Sequence, residues 1–148
     1  MSDDQEVEHN TWDFSVPEFR AEAKLMHDND LDPEMTETEH QDYWAQLRGL
    51  LWSAQCGTLN FGGKNPEAKV MELRDHIIEL RPLMEAAPGT VFGKTMRLVR
   101  LYFAEPVLPI ASLLALHLAT KPNGPDDAAE QNAAIVEASD RAEVWQEV

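Results

Sequence analysis

The sequence predicts an all-α fold: a compact bundle of five to six helices with an acidic, partly extended N-terminal arm. Three observations carry this expectation. Apolar residues recur at helical spacing in one segment after another. Proline or a small polar residue precedes most of those segments, where helices start. Period-two alternation, the mark of a half-buried strand, is not convincing anywhere along the chain. Residues 1–16 are read as the arm, 17–121 as the bundle core, and 122–148 as a linker with a C-terminal amphipathic helix.

The first helix opens at Pro17, after Ser15, and runs to about His27 with Phe19, Ala23 and Met26 on one side. An acidic turn, Asp28 to Asp32, leads through Pro33 to a helix over 34–55. Tyr43, Leu47, Leu50 and Ala54 make its apolar stripe, widened by Trp44 and Leu51, and Gly57 is placed to end it. After a linker at 58–64, Asn65-Pro66 signals a third helix carrying Val70, Leu73, Ile77, Leu80 and Met84, with Pro82 disturbing its last turn. Pro88-Gly89 makes a turn and Thr90 caps a fourth helix to Ala104, on the spacing of Phe92, Met96, Val99 and Phe103. Strand formers at 98–103 argue against that assignment. A fifth helix over 107–120 is apolar around most of its circumference, as at a bundle centre. Pro122-Asn123-Gly124-Pro125 breaks the chain. Asp126 then caps a final helix with Ile135, Ala138, Ala142 and Trp145 on one side.

Charge is divided by region. Residues 1–42 hold fourteen Asp and Glu against only Arg20 and Lys24. Residues 43–105 hold eight Lys and Arg against six acids, and 106–148 hold seven acids against Lys121 and Arg141. Two acidic ends thus flank a faintly basic middle within a net charge of −15. This disfavours direct nucleic-acid binding, which rests on cations neutralising phosphates, and favours a basic protein surface as partner. A halophile's acidic coat would spread over every region, contrary to the near-neutral middle. The chain suits one domain, able to bury roughly 70% of its unfolded surface. One cysteine, Cys56, excludes an internal disulfide and fits a reducing compartment; it reads as a small buried hydrophobe. The opening residues show no secretory signal, and 107–119 is too short for a bilayer, so a cytoplasmic protein without membrane contact is expected.

Several motifs invite chemistry. Asp28 to Glu39 resembles an EF-hand calcium loop, with Asp28, Asp30, Asp32, Thr36 and Glu39 at ligand positions and Met35 at the apolar eighth position. It departs at the sixth position, where Pro33 stands in place of the required glycine. The same residues are explained by helix-start chemistry: Thr36 and Glu39 form a capping box, and acids gather at the helix's positive end. Gly89 to Thr95 approximates a P-loop but is one residue short. Glu37-x-x-His40 has di-iron spacing without the further ligands such a site needs. Glu72, His76 and Glu79 share one helical face, and His117 reads as a core histidine bonded to a backbone or side-chain acceptor.

No constellation assembles a reaction, and no metal or cofactor is implied. The favoured reading is a non-enzymatic protein–protein interaction protein: an adaptor, assembly factor or inhibitor of the kind a virus or plasmid also encodes. Aromatics embedded in acid make the contact residues Trp12, Asp13, Phe14, Asp28, Asp30, Asp32, Glu34 and Trp145. The alternatives are a DNA-mimic inhibitor of a nucleic-acid-binding protein, a metal-dependent bundle enzyme using His40 and His76, and a calcium module. A self-associating subunit is a fourth.

Overall fold

A computed structural model of the chain describes residues 9–30, 35–63, 66–74, 76–82, 97–106, 111–122 and 128–147. It overturns the all-α bundle. Among the described residues eight elements follow one another: β1 (Thr11–Asp13), α1 (Pro17–His27), α2 (Glu37–Cys56), β2 (Ala68–Val70), β3 (Ile78–Leu80), β4 (Arg97–Ala104), β5 (Ser112–Pro122) and α3 (Ala128–Glu147). The strands form one sheet in the order β1-β5-β4-β3-β2. The first described strand, β1, lies at one edge of the sheet; the chain then makes two helices and enters at the opposite edge. It then returns strand by strand through antiparallel pairs until β5 lies parallel to β1.

Of the three predicted helices that fail, the fourth and fifth do so for one reason. Their apolar residues are buried on both faces of a sheet, and such strands lose the period-two signal. In β4, Leu98 to Ala104 is buried without interruption, and in β5 so is Leu113 to Leu116. The apolar girdle of the expected fifth helix is therefore a strand with both faces covered. The expected third helix is two short strands, pairing Ala68 with Leu80 and Val70 with Ile78. Its 70/73/77/80 spacing straddles the connection between them. Met84, the Pro88-Gly89 turn, the Thr90 cap, Phe92, Met96 and the P-loop-like segment lie outside the described residues.

The helices at the ends of the chain follow their local signals. Pro17 occupies the first turn of α1. Thr36 caps α2 through a full capping box, its side chain accepting from the Glu39 N–H while the Glu39 carboxylate accepts from the Thr36 N–H. Gly57 ends α2 in the left-handed region at φ 70°, a conformation that costs a side chain about 1 kcal/mol. Between α1 and α2, Asn29, at φ 55°, clamps Met35 by donating to its carbonyl and accepting from its N–H. Among the described residues no helix is long and apolar enough to cross a membrane.

Helices cover both faces of the sheet. Leu101 and Leu118, paired across β4 and β5, face Leu47 and Leu51 of α2. The other face carries Tyr102 and Glu79, met by Gln131 of α3. A bulge after Tyr102 sets Phe103 against Ala115 and leaves Leu116 without a partner in β4.

β1 covers only Ser112 to Leu114, so β5 would present an open edge from Ala115 onward. Two charged side chains close it. Glu22 of α1 accepts from the Leu118 N–H at 2.9 Å, and Arg141 of α3 donates to the Leu116 carbonyl at 2.8 Å. The two side chains pair bidentately at 2.9 Å, and His117 adds its Nδ1 at 2.9 Å from Glu22. Burial alone would raise the Glu22 carboxyl. The bonds from His117, Arg141 and the Leu118 N–H outweigh it and hold the pKa below its ordinary value.

A carboxyl with a depressed native pKa stabilises the fold above its unfolded value, and that contribution disappears as pH falls through the native value. Glu22→Gln is therefore expected to lose about 2 kcal/mol at neutral pH, mainly by leaving Arg141 and the strand edge under-bonded. The gap between wild type and variant should close as pH falls below about 4. Chemical denaturation across pH 3–7 measures it, and a constant gap would show that the charge of Glu22 is not what holds the edge.

Candidate functional site

The strand edge that Glu22 and Arg141 close also fixes where the two acidic ends of the chain meet. Ser15 and Val16 lead into α1 beside the C-terminal half of α3, and a cleft of ≈ 830 Å³ lies between them. Val16 and Pro17 line one side. Across from them, Glu137, Asp140, Arg141, Val144 and Trp145 follow helical spacing along α3, and Glu18 adds a carboxylate from the first turn of α1. Val144 is 62% exposed, a large value for a branched apolar side chain beside a tryptophan.

The charge balance of the cleft is set by what Arg141 is already doing. Its guanidinium binds Glu22 twice and Glu137 at 2.7 Å through Nε, so its charge is matched in place. Burial acts to lower the Arg141 pKa, but the bonds from Glu22 and Glu137 prevail and raise it. What faces an incoming group is an apolar floor with Glu18 and Asp140 exposed at its rim and Glu137 half-engaged.

The residues expected from the sequence fall in several places. Trp145 lies in the cleft. Trp12 is occupied internally: its indole N–H donates to the Leu51 carbonyl at 2.9 Å, and its ring stacks on Phe14 and meets Phe103 edge-on. It ties the sheet to α2. Phe14, 43% exposed, is stacked between Trp12 and Phe19 and faces a different opening, between α1 and α2. Asp13 accepts from the Ser15 N–H and shapes the turn into α1.

Asp28 is held by Lys24 at 2.7 Å and His27 at 3.2 Å, Lys24 foremost in keeping its carboxyl below the usual range. Asp30 is exposed after the end of α1, while Asp32 and Glu34 lie outside the described residues. Thr36 and Glu39 face one another in the capping box. In the sequence Pro17 stands out only as a helix start, and Val16, Glu18, Glu137, Asp140 and Val144 do not stand out. The available signal was the stripe 137/140/141/144/145, which adjoins the stripe buried against the sheet.

Two further polar groupings involve α3. Glu79, 1% exposed, accepts from the Tyr102 hydroxyl at 3.1 Å and from Gln131 at 3.2 Å, with Arg81 at 3.4 Å and Arg100 at 3.8 Å. Burial, and then Glu79 beside it, push the Tyr102 phenol well above its usual range; burial likewise lowers Arg100. Ser139, 2% exposed, lies 3.2 Å from the ring of His76, which is itself exposed. Among the described residues no three His, Cys, Asp or Glu side chains are grouped to hold a metal ion. His117, expected as a core residue of an apolar helix, stands half-buried on β5 with its Nδ1 2.9 Å from Glu22, a side-chain partner of the kind expected.

Comparison with known proteins finds no family model, curated protein or solved structure that matches the chain.

Two outcomes test these placements. Trp12→Phe keeps the ring contacts and loses one hydrogen bond, so about 1 kcal/mol of stability should go, whereas Trp12→Ala should lose about 3 kcal/mol or more. Tyr102→Phe removes a donor from a buried carboxyl and should destabilise by about 1–3 kcal/mol. Urea unfolding followed by far-ultraviolet circular dichroism reads both. Stability unchanged in Trp12→Ala would return that residue to the surface.

Proposed function

We propose that this protein is a binding module, not an enzyme, and that it docks a basic segment of a partner protein in the cleft between α1 and α3. The observation that supports this reading most is the meeting of acid from both ends of the chain, Glu18 with Glu137 and Asp140, around an apolar strip formed by exposed Val144 and half-buried Trp145. Apolar anchors inside a charged rim are the usual build of a recognition site, where the centre supplies affinity and the rim supplies orientation and encounter rate.

The chemistry of the occupant follows from the lining. A Lys- or Arg-rich segment with one or two apolar side chains can place its cations on Glu18 and Asp140 and its apolar residues over Val144 and Trp145. Nucleic acid is disfavoured, since its phosphates would meet carboxylates. Cys56 is free and half-exposed, which suits a reducing compartment, and we place the module in the cytoplasm.

The test is titration of the full chain with an amphipathic Lys/Arg-rich peptide, followed by amide and indole chemical shifts. Binding should centre on α3 and the start of α1 and weaken steeply between 50 and 300 mM salt, because exposed charges are screened within about 8 Å at physiological ionic strength. The double variant Glu137→Lys, Asp140→Lys should lose roughly tenfold or more in affinity. Equal binding by the variant, or shifts centred elsewhere, would remove the cleft from consideration.

A further inference from the structure

A second opening has the opposite chemistry. Between α1 and α2 lies a slot of ≈ 470 Å³ whose floor is made by Leu47, Leu101 and Leu118, all buried. Phe14 and Trp44 flank it, and Phe14 is 43% exposed. Basic side chains stand at the mouth: Arg20, Lys24 and His27 occupy positions i, i+4 and i+7 of α1, and all three are exposed.

That placement is selective. Arg20 and Lys24 are the only Lys or Arg in the first forty-two residues, against fourteen acids, and both line this one opening. Lys24 and His27 are bound by Asp28. Arg20 is not: among the described residues its guanidinium makes no hydrogen bond or ion pair, so its donor fork is available at the rim. A guanidinium fork matches a carboxylate bidentately.

An apolar slot of several hundred Å³ with a few polar groups at one end is the general form of a small-ligand site. Here Asp28 matches Lys24 and His27, the charge left to meet a ligand is the Arg20 guanidinium, and the interior supplies almost nothing to hydrogen-bond. The fitting ligand therefore has a plain hydrocarbon body and one anionic head. Sugars and nucleobases need bonding partners the floor lacks, and a cationic amphiphile would be repelled at the mouth.

We propose that the slot binds a single-chain aliphatic carboxylate of the fatty-acid class, its chain over Leu47, Leu101 and Leu118 and its head on Arg20. The site is separate from the acid-rimmed cleft and stands whether or not a basic peptide binds there.

Calorimetric titration of the full chain with sodium decanoate, held below its micelle concentration, tests this against decyltrimethylammonium, which has the same tail with a cationic head. Saturable 1:1 binding of decanoate and no saturable binding of the cation are expected. Arg20→Gln, a change at an exposed position, should weaken decanoate roughly tenfold. Ala23→Trp fills the slot from α1 and should abolish binding with Arg20 intact. If its melting curve shows an unfolded chain, Arg20→Gln decides alone. Equal binding of the two amphiphiles, an unchanged affinity in Arg20→Gln, or no saturable decanoate binding would overturn the assignment.

Discussion

Closure of the β5 edge by Glu22 and Arg141 is the constraint on which the rest of the structure depends. A strand whose backbone groups stop being paired after three residues invites association with another chain or demands cover. Here the cover is a charge pair whose two members also bond the strand itself, one taking its N–H and the other giving to its carbonyl. Because Glu22 belongs to α1 and Arg141 to α3, a single arrangement satisfies the edge and fixes both helices against the same strand. Such a pair adds little net stability over an apolar substitute, but losing one member leaves several polar groups unmatched. Its main product is position.

Position explains why the helices could be read from the sequence and the sheet could not. α1 and α2 and the final helix announce themselves through local chemistry: Pro17, the Thr36–Glu39 box, Gly57, and the Ile135/Ala138/Ala142 stripe. β4 and β5 carry no comparable sign. Their identity comes from being covered on two faces at once by separate helices, which erases alternation and leaves apolar runs that fit either state. In β4, Val99 and Phe103 happen to lie four apart, so helical spacing and strand pairing were both consistent with the same letters. The strand formers at 98–103 were the better guide, because β-branched and aromatic side chains fit a pleated surface whatever their period.

The site was legible only in part, for a related reason. Trp145 and the acidity of both ends are local facts. The cleft that unites them is not, since it exists only because β1 pairs with β5 and brings residues 15–18 beside α3. Trp12 shows the converse: an aromatic within acid reads as an anchor for a partner, yet its indole N–H is needed at the Leu51 carbonyl and its ring at Phe103. A buried donor with an internal acceptor at hand goes to that acceptor first, because leaving both unbonded costs more than any single exposed contact returns.

The segregation of charge along the chain is repeated around α1. At about 100° per residue, Glu18 and Glu22 lie within roughly 40° of each other on the helix circumference. The buried Met26 and Phe19 come next, and beyond Ala23 follow His27, Arg20 and Lys24 over roughly a further 60°. The apolar stripe that sinks into the core therefore separates an acidic flank from a basic one. Glu22 sets the rotation, since its carboxylate must meet the Leu118 N–H and the Arg141 fork together. With that rotation fixed, Glu18 is turned to α3 and Arg20 to α2, and neither assignment can change without the other. The two openings of opposite chemistry are thus consequences of one helix held at one angle by one carboxylate.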